Sequence, residues 1–208
     1  MTDLNALAEA IIKGDGTAAV QITRTAIGER VSPKSILDEG LVAGMEVIGT
    51  RFSKNEIFVP EVMFAARAMK AAMALLEPEL VKAGVKPIGR FLIGTVKGDM
   101  HDIGKNLVVM MLKGAGFEVI DLGTDVSPDR FVEHAGAKQV QLVGMSTLLT
   151  TSMPSMDRTL KALRAAGLSA KVLIGGAPVT QAYADKIGAQ GYATNAAEAV
   201  ELAKRLIA

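Results

Sequence analysis

The segment Asp99-Met100-His101-Asp102-Ile103-Gly104 carries the residue types and spacing with the clearest chemical use in this chain. An imidazole is the commonest protein metal ligand near neutral pH. On an extended loop, a carboxylate two residues before the histidine can accept a hydrogen bond from one ring nitrogen. The other nitrogen then stays free to bind a metal, and the carboxylate fixes the tautomer and raises the ring's basicity. His134, the second histidine, has no such partner motif and reads as a solvated or structural side chain.

Positioning such a group is the work of the elements around it. A β-like run, Arg90 to Val96, precedes the segment, and an apolar helix-like run, Asn106 to Leu112, follows it. The histidine is therefore expected at the carboxyl end of a strand, where open α/β sheets bind ligands. Further strands are expected near Glu118–Leu122, Leu142–Ser146, Lys171–Ile174 and Gly191–Ala193, with helices from about Gly104, Pro128, Pro154, Val179 and Ala196. Short β runs alternating with amphipathic helices imply a parallel, doubly wound sheet. Five strands suggest the flavodoxin-like (Rossmann-like) order 2-1-3-4-5, with its switch point between strands one and three. The loops after those strands carry His101 and Ser146, and Gly175-Gly176 follows strand four. Three unusual segments converge on one crevice.

The first part of the chain reads as all helix. Leu4, Leu7, Ala8, Ile11 and Ile12 form one amphipathic face, and Thr17 to Ile27 a second helix. Ser32-Pro33 starts a third, running to about Thr50, through an N-cap and a first-turn proline. Val59, Val62, Met63, Ala66, Met69, Met73 and Leu76 recur at helical spacing in a fourth. Four helices with short connections predict an N-terminal four-helix bundle. The expected division is a helical domain over 1–84, a Gly/Pro linker over 85–89 and an α/β domain over 90–208.

Composition narrows the function classes. The 208-residue chain is half hydrophobic and carries a formal net charge of +1, which gives no electrostatic case for nucleic acid or an anionic membrane. It has no cysteine, which excludes disulfides, thiolate zinc sites and cysteine-held iron–sulfur clusters. No apolar run approaches the roughly 20 residues that span a bilayer, and no signal peptide is visible, so a cytoplasmic location is expected. Gly98 to Asn106 has one residue too many for a P-loop and lacks its Ser/Thr. No Gly-x-Gly-x-x-Gly follows strand one, and strand three ends in Ser146 rather than a receiver aspartate.

Asp99-x-His101-x-x-Gly104, then Ser146-x-Leu148, then Gly175-Gly176 resembles the signature of cobalamin-binding domains of the methionine synthase type. Phe52-Ser53-Lys54-Asn55-Glu56-Ile57-Phe58-Val59-Pro60-Glu61-Val62-Met63 is similar to the helical cap module of the same family. Together they cover nearly the whole chain, as in the small corrinoid proteins of three-component methyltransferase systems.

That resemblance implies a cobalamin cofactor, as methylcobalamin, held base-off/His-on with His101 as the lower cobalt ligand. Asp99 would take the second N–H of that imidazole and Ser152 would hydrogen-bond Asp99. Met100, Asp102, Ile103 and Gly104 would face the corrin. Gly175 and Gly176 would leave room for the displaced nucleotide tail, with Ser146 on a benzimidazole nitrogen and Leu148 on its ring. Ala177 and Thr194 would line the rest of the tail site; Thr194-Asn195 stands where relatives commonly carry an acidic residue. Phe58, Val59 and Met63 would shield the upper face of the cofactor.

The implied function is a methyl carrier, not catalytic alone. Co(I) accepts a methyl group from a partner substrate methyltransferase (a barrel enzyme), and methyl-Co(III) passes it to a second methyltransferase with tetrahydrofolate or coenzyme M as acceptor. A reductive activase is a further expected partner. The alternatives are a cobalamin-dependent sensor, which wants a DNA-binding segment, and the small subunit of a mutase, against which the cap segment speaks.

Overall fold

The computed structural model describes residues 2–208. They form two compact units, one comprising the chain up to Pro87 with Gly114–Gly116, the other Ile88–Lys113 with Phe117–Ala208.

The first unit is helical. Helices α1 (Leu4–Ile12) and α2 (Gly16–Gly28) each begin on an aspartate whose side chain accepts a backbone N–H, Asp3 from Asn5 and Asp15 from Ala18. The third helix differs from the single α-helix its periodicity predicts. It runs as α3 (Pro33–Ser35), a π-helical segment (Ile36–Val42) and α4 (Ala43–Ser53). The buried positions Ile36, Gly40, Leu41, Gly44, Met45 and Ile48 still follow one another at helix-like spacing, so the spacing does not single out the widened turn. Gly40 lies inside that segment, where a Cβ would stand 2.5 Å from Leu7 Cδ2, so its lack of a side chain sets how closely α1 packs there. Helix α5 (Val59–Lys82) continues past an internal Pro78, and Glu61 accepts the N–H of Phe58 at its start. Phe58, Val59 and Phe64 are exposed, whereas Val62, Ala65, Met69 and Leu76 are buried.

Helix α2 packs on α5 and buries Thr23 completely, its hydroxyl having no hydrogen-bond partner among the described residues. An orphaned hydroxyl costs free energy that an isosteric methyl does not. Thr23→Val is therefore expected to stabilise the protein by about 1 kcal/mol. A chemical denaturation midpoint at or below that of the wild type would contradict this.

The second unit is a five-stranded parallel sheet in the order β2-β1-β3-β4-β5. The strands are β1 (Arg90–Thr95), β2 (Glu118–Asp121), β3 (Leu142–Ser146), β4 (Lys171–Gly175) and β5 (Gly191–Ala193). Helices α6 (Ile103–Gly114), α7 (Pro128–Lys138), α8 (Met153–Ala165), α9 (Gln181–Ile187) and α10 (Ala196–Ile207) follow them in turn. Near-continuous burial of Phe91–Thr95, Leu142–Met145 and Val172–Ile174 reflects a sheet covered on both faces. Leu92, Val96, Phe131, Val143, Met145, Met156 and Leu160 belong to one hydrophobic core cluster. Thr95 is in register with Ser146, and Ser146 with Gly175. The loops after β1, β3 and β4 thus leave the sheet side by side, at the point where strand order reverses. Among the described residues, no helix is long and apolar enough to cross a membrane.

Candidate functional site

The β1–α6 loop is pinned before it reaches the histidine. Gly98 (φ +90°) donates its N–H to Asp125 Oδ1 at 2.8 Å, and Asp125 N–H donates to the Asp99 carbonyl at 2.9 Å. The buried hydroxyl of Thr95 donates to the His101 carbonyl at 2.8 Å. Lys105, in the first turn of α6, is buried and reaches both Asp121 oxygens at 2.8 and 2.6 Å, tying that turn to the end of β2. The Lys105-Asn106 pair therefore belongs to the scaffold, for Lys105 Nζ also reaches Asn106 Oδ1 at 2.7 Å and Asn106 Nδ2 donates to Asp102.

Within this frame Asp99 is the hub. Its side chain has no exposure, whereas that of His101 is 52% exposed. Oδ1 accepts from His101 Nδ1 at 2.7 Å and from the His101 backbone N–H at 3.0 Å. Oδ2 accepts from the Thr147 hydroxyl and the Leu148 N–H, each at 2.6 Å, with Leu149 N–H at 3.2 Å and Ser152 Oγ at 3.3 Å. Burial alone would push the carboxyl's pKa up. The Thr147 hydroxyl, the His101 and Leu148 amides and the His101 ring outweigh it, holding Asp99 well below the usual carboxylate range. An ionised Asp99 accepts the Nδ1 proton, so the neutral ring carries its lone pair on Nε2. Among the described residues, Nε2 has no hydrogen-bond partner.

The loops that carry this site also expose apolar side chains. Met100 lies beside His101 on the β1–α6 loop, Ile103 opens α6, Leu148 and Leu149 lie on the β3–α8 loop, and all four are exposed. A Cβ at Gly104 would meet nothing within 4 Å. A rigid imidazole lone pair accompanied by exposed apolar side chains fits a broad apolar ligand with a metal at its centre, laid over His101.

The remaining expected site residues are placed as follows. Asp102 is exposed and accepts from Asn106 Nδ2 at 3.0 Å. Ser146 ends β3, half-buried, its hydroxyl without a hydrogen bond among the described residues. Ser152 precedes α8 but does not cap it with its side chain; its hydroxyl lies 2.5 Å from Thr147 Oγ1 and donates to the Leu149 carbonyl at 3.0 Å. Gly175 and Gly176 close β4. Gly176 has φ +130°, and a Cβ there would stand 1.8 Å from the Thr147 carbonyl oxygen, so close backbone approach already demands glycine. Ala177 is exposed on the same loop. Thr194, at the end of β5, donates its hydroxyl and N–H to Glu198 at 2.6 and 2.8 Å. No hydrogen bond joins Ala177 or Thr194 to the imidazole cluster.

Sequence reasoning missed Thr147, Thr95 and Asp125. Thr147 sits between two residues of the Ser146-x-Leu148 motif, at its unspecified position. Its signal is a hydroxyl directly beyond a strand that neighbours the histidine loop.

Comparison with known proteins places this geometry in context. Family models described as B12 binding domain match residues 89–201 and residues 3–77. The chain is 42% identical over 212 residues to a corrinoid protein of Desulfitobacterium hafniense, covering 100% of this chain and 98% of that one. It is 44% identical over 209 residues to the dimethylamine corrinoid protein of Methanosarcina barkeri, covering 99% and 97%. Among solved structures, a chain of the methanol:cobalamin methyltransferase complex of Methanosarcina barkeri matches with a TM-score of 0.87. That chain is 28% identical, over 98% of this chain and 79% of its own length.

Proposed function

The chain belongs to the B12-binding corrinoid proteins of methyltransferase systems, and we propose that it is a methyl carrier that binds cobalamin base-off with His101 as the lower ligand. The observation that carries this reading is an imidazole tied through Nδ1 to a buried, ionised Asp99, with Nε2 unpartnered among the described residues and with exposed Met100, Ile103, Leu148 and Leu149 on the same two chain segments. When bound, the corrinoid supplies a cobalt centre that takes a methyl group from one partner enzyme and yields it to another. The chain's own residues hold and tune that centre. Asp99 fixes the tautomer, so Nε2 presents a lone pair rather than a proton. Met100, Ile103, Leu148 and Leu149, exposed here, would be covered by a bound corrinoid and would help exclude water from it.

The tail of the cofactor is proposed to run past Ser146, whose hydroxyl is free to meet a ring nitrogen, and past the loop of Gly175, Gly176 and Ala177, with Thr194 at its far side. Asp102 and Gly104 are proposed to face the corrin edge. The proposed partners are a barrel methyltransferase that delivers the methyl group, a second methyltransferase with tetrahydrofolate or coenzyme M as acceptor, and a reductive activase. Donor choice then belongs to the first partner.

The test is to load the wild type and His101→Ala with methylcobalamin and compare absorption spectra. A histidine-ligated spectrum in the wild type that is lost in the variant is expected. Identical spectra would remove the ligand assignment.

A further inference from the structure

Resting on the ligand role of His101, we infer that Thr147, rather than Ser152, is the principal hydroxyl that sets how much of the Asp99 charge reaches that imidazole. Both hydroxyls are buried beside the same carboxylate oxygen. Thr147 Oγ1 lies 2.6 Å from Asp99 Oδ2, whereas Ser152 Oγ lies 3.3 Å away. Ser152 is instead 2.5 Å from Thr147 Oγ1 and 3.0 Å from the Leu149 carbonyl. Each hydroxyl has one proton. The proton of Thr147 goes to the charged acceptor, since bonds to a charged group are the stronger ones. Ser152 then donates to Thr147 or to Leu149. The series runs Ser152, Thr147, Asp99, His101, and Ser152 acts on the carboxylate chiefly through Thr147.

Thr147 does not reach His101, so it is a positioning residue. Its donation draws charge toward Oδ2 and away from Oδ1, the oxygen that accepts from His101 Nδ1. Without it, Oδ1 becomes the stronger acceptor and Nε2 the stronger donor to a metal. A stronger axial donor favours the more oxidised metal.

The experiment uses the full chain loaded with cobalamin, as wild type, Thr147→Val, Thr147→Ser and Ser152→Ala. Two readouts are taken: the nitrogen splitting in the Co(II) electron paramagnetic resonance spectrum and the Co(II)/Co(I) midpoint potential. Thr147→Val is expected to keep the histidine nitrogen splitting and to shift the redox equilibrium about tenfold toward Co(II), or about 59 mV more negative for one electron. Thr147→Ser is expected to restore the wild-type potential, and Ser152→Ala to shift it by less than threefold in the same direction. A wild-type potential in Thr147→Val, or a larger shift in Ser152→Ala than in Thr147→Val, overturns the inference. If Thr147→Val does not take up the cofactor, Ser152→Ala decides alone: a shift below threefold supports the inference and a tenfold shift overturns it. Absence of nitrogen splitting in the wild type is a distinct result, which defeats the ligand role of His101 and this inference with it.

Discussion

Asp99→Asn is expected to weaken histidine ligation of the cofactor and to destabilise the fold by about 3 kcal/mol, although it replaces one oxygen by a nitrogen of similar size. Asp99 accepts from the His101 ring and amide on Oδ1 and from the Thr147 hydroxyl and the Leu148 and Leu149 amides on Oδ2. A carboxylate accepts on both oxygens, whereas an amide must turn its NH2 toward one of these groups. If the NH2 faces Leu148, that amide loses its acceptor in a buried setting. If it faces His101, the ring must accept at Nδ1, and its proton moves to Nε2, where it blocks a metal. At the Oδ2 side, two lost charge-assisted bonds of about 1.5 kcal/mol each account for the estimate. Nitrogen-15 spectra of the apoprotein report the tautomer directly. The wild type should show His101 protonated on Nδ1, with that signature weakened or replaced in the variant. An unchanged tautomer together with unchanged stability would show that Asp99 does not organise the site.

Gly176→Ala is the second large effect, and it acts on the same cluster from outside. The added Cβ would overlap the Thr147 carbonyl oxygen at 1.8 Å, and φ of +130° is a region that alanine rarely adopts. The overlap is with backbone, so it cannot be relieved by a rotamer change. A Gly-only backbone conformation costs about 1–3 kcal/mol by itself, and displacement of Thr147 adds to it, for a total loss of at least about 3 kcal/mol. Thr147 also carries the 2.6 Å bond to Asp99, so any shift that relieves the clash pulls on the carboxylate behind His101. Cobalamin affinity is therefore expected to fall along with stability, about tenfold or more, as when a partner behind a ligand is lost. Denaturation curves and cofactor titration measure the two effects separately. Unaltered stability would mean that the β3 and β4 loops do not meet as closely as this geometry requires.

Much of this molecule was legible in its residues. Alternating β runs and amphipathic helices specified a parallel sheet in the order 2-1-3-4-5, because strand and helix periods differ and crossover rules leave few topologies. The helical first part was equally plain, as was the placement of His101 just beyond β1 and of Ser146 at the end of the neighbouring β3. The π-helical segment at Ile36–Val42 was not, because its buried positions Ile36, Gly40 and Leu41 are also compatible with an ordinary helix. Glu198, four residues beyond Thr194, takes up that threonine's donors, a partnership visible only once α10 begins at Ala196.

The pairing of Asp99 with His101 is local: two residues on one loop, within reach whatever the rest of the chain does. For that reason the sequence by itself determined that Asp99 and His101 would meet, and roughly where on the sheet they sit. Which hydroxyl and which amides converge on Asp99 Oδ2 involves residues 48 to 53 positions away, and Gly176 reaches Thr147 across another strand. Such contacts are set by strand register and loop approach to a fraction of an ångström, and the order of residues does not encode distances of that size. Tertiary structure alone therefore decided that Thr147, an unremarked position inside a motif, stands nearer to the carboxylate than Ser152.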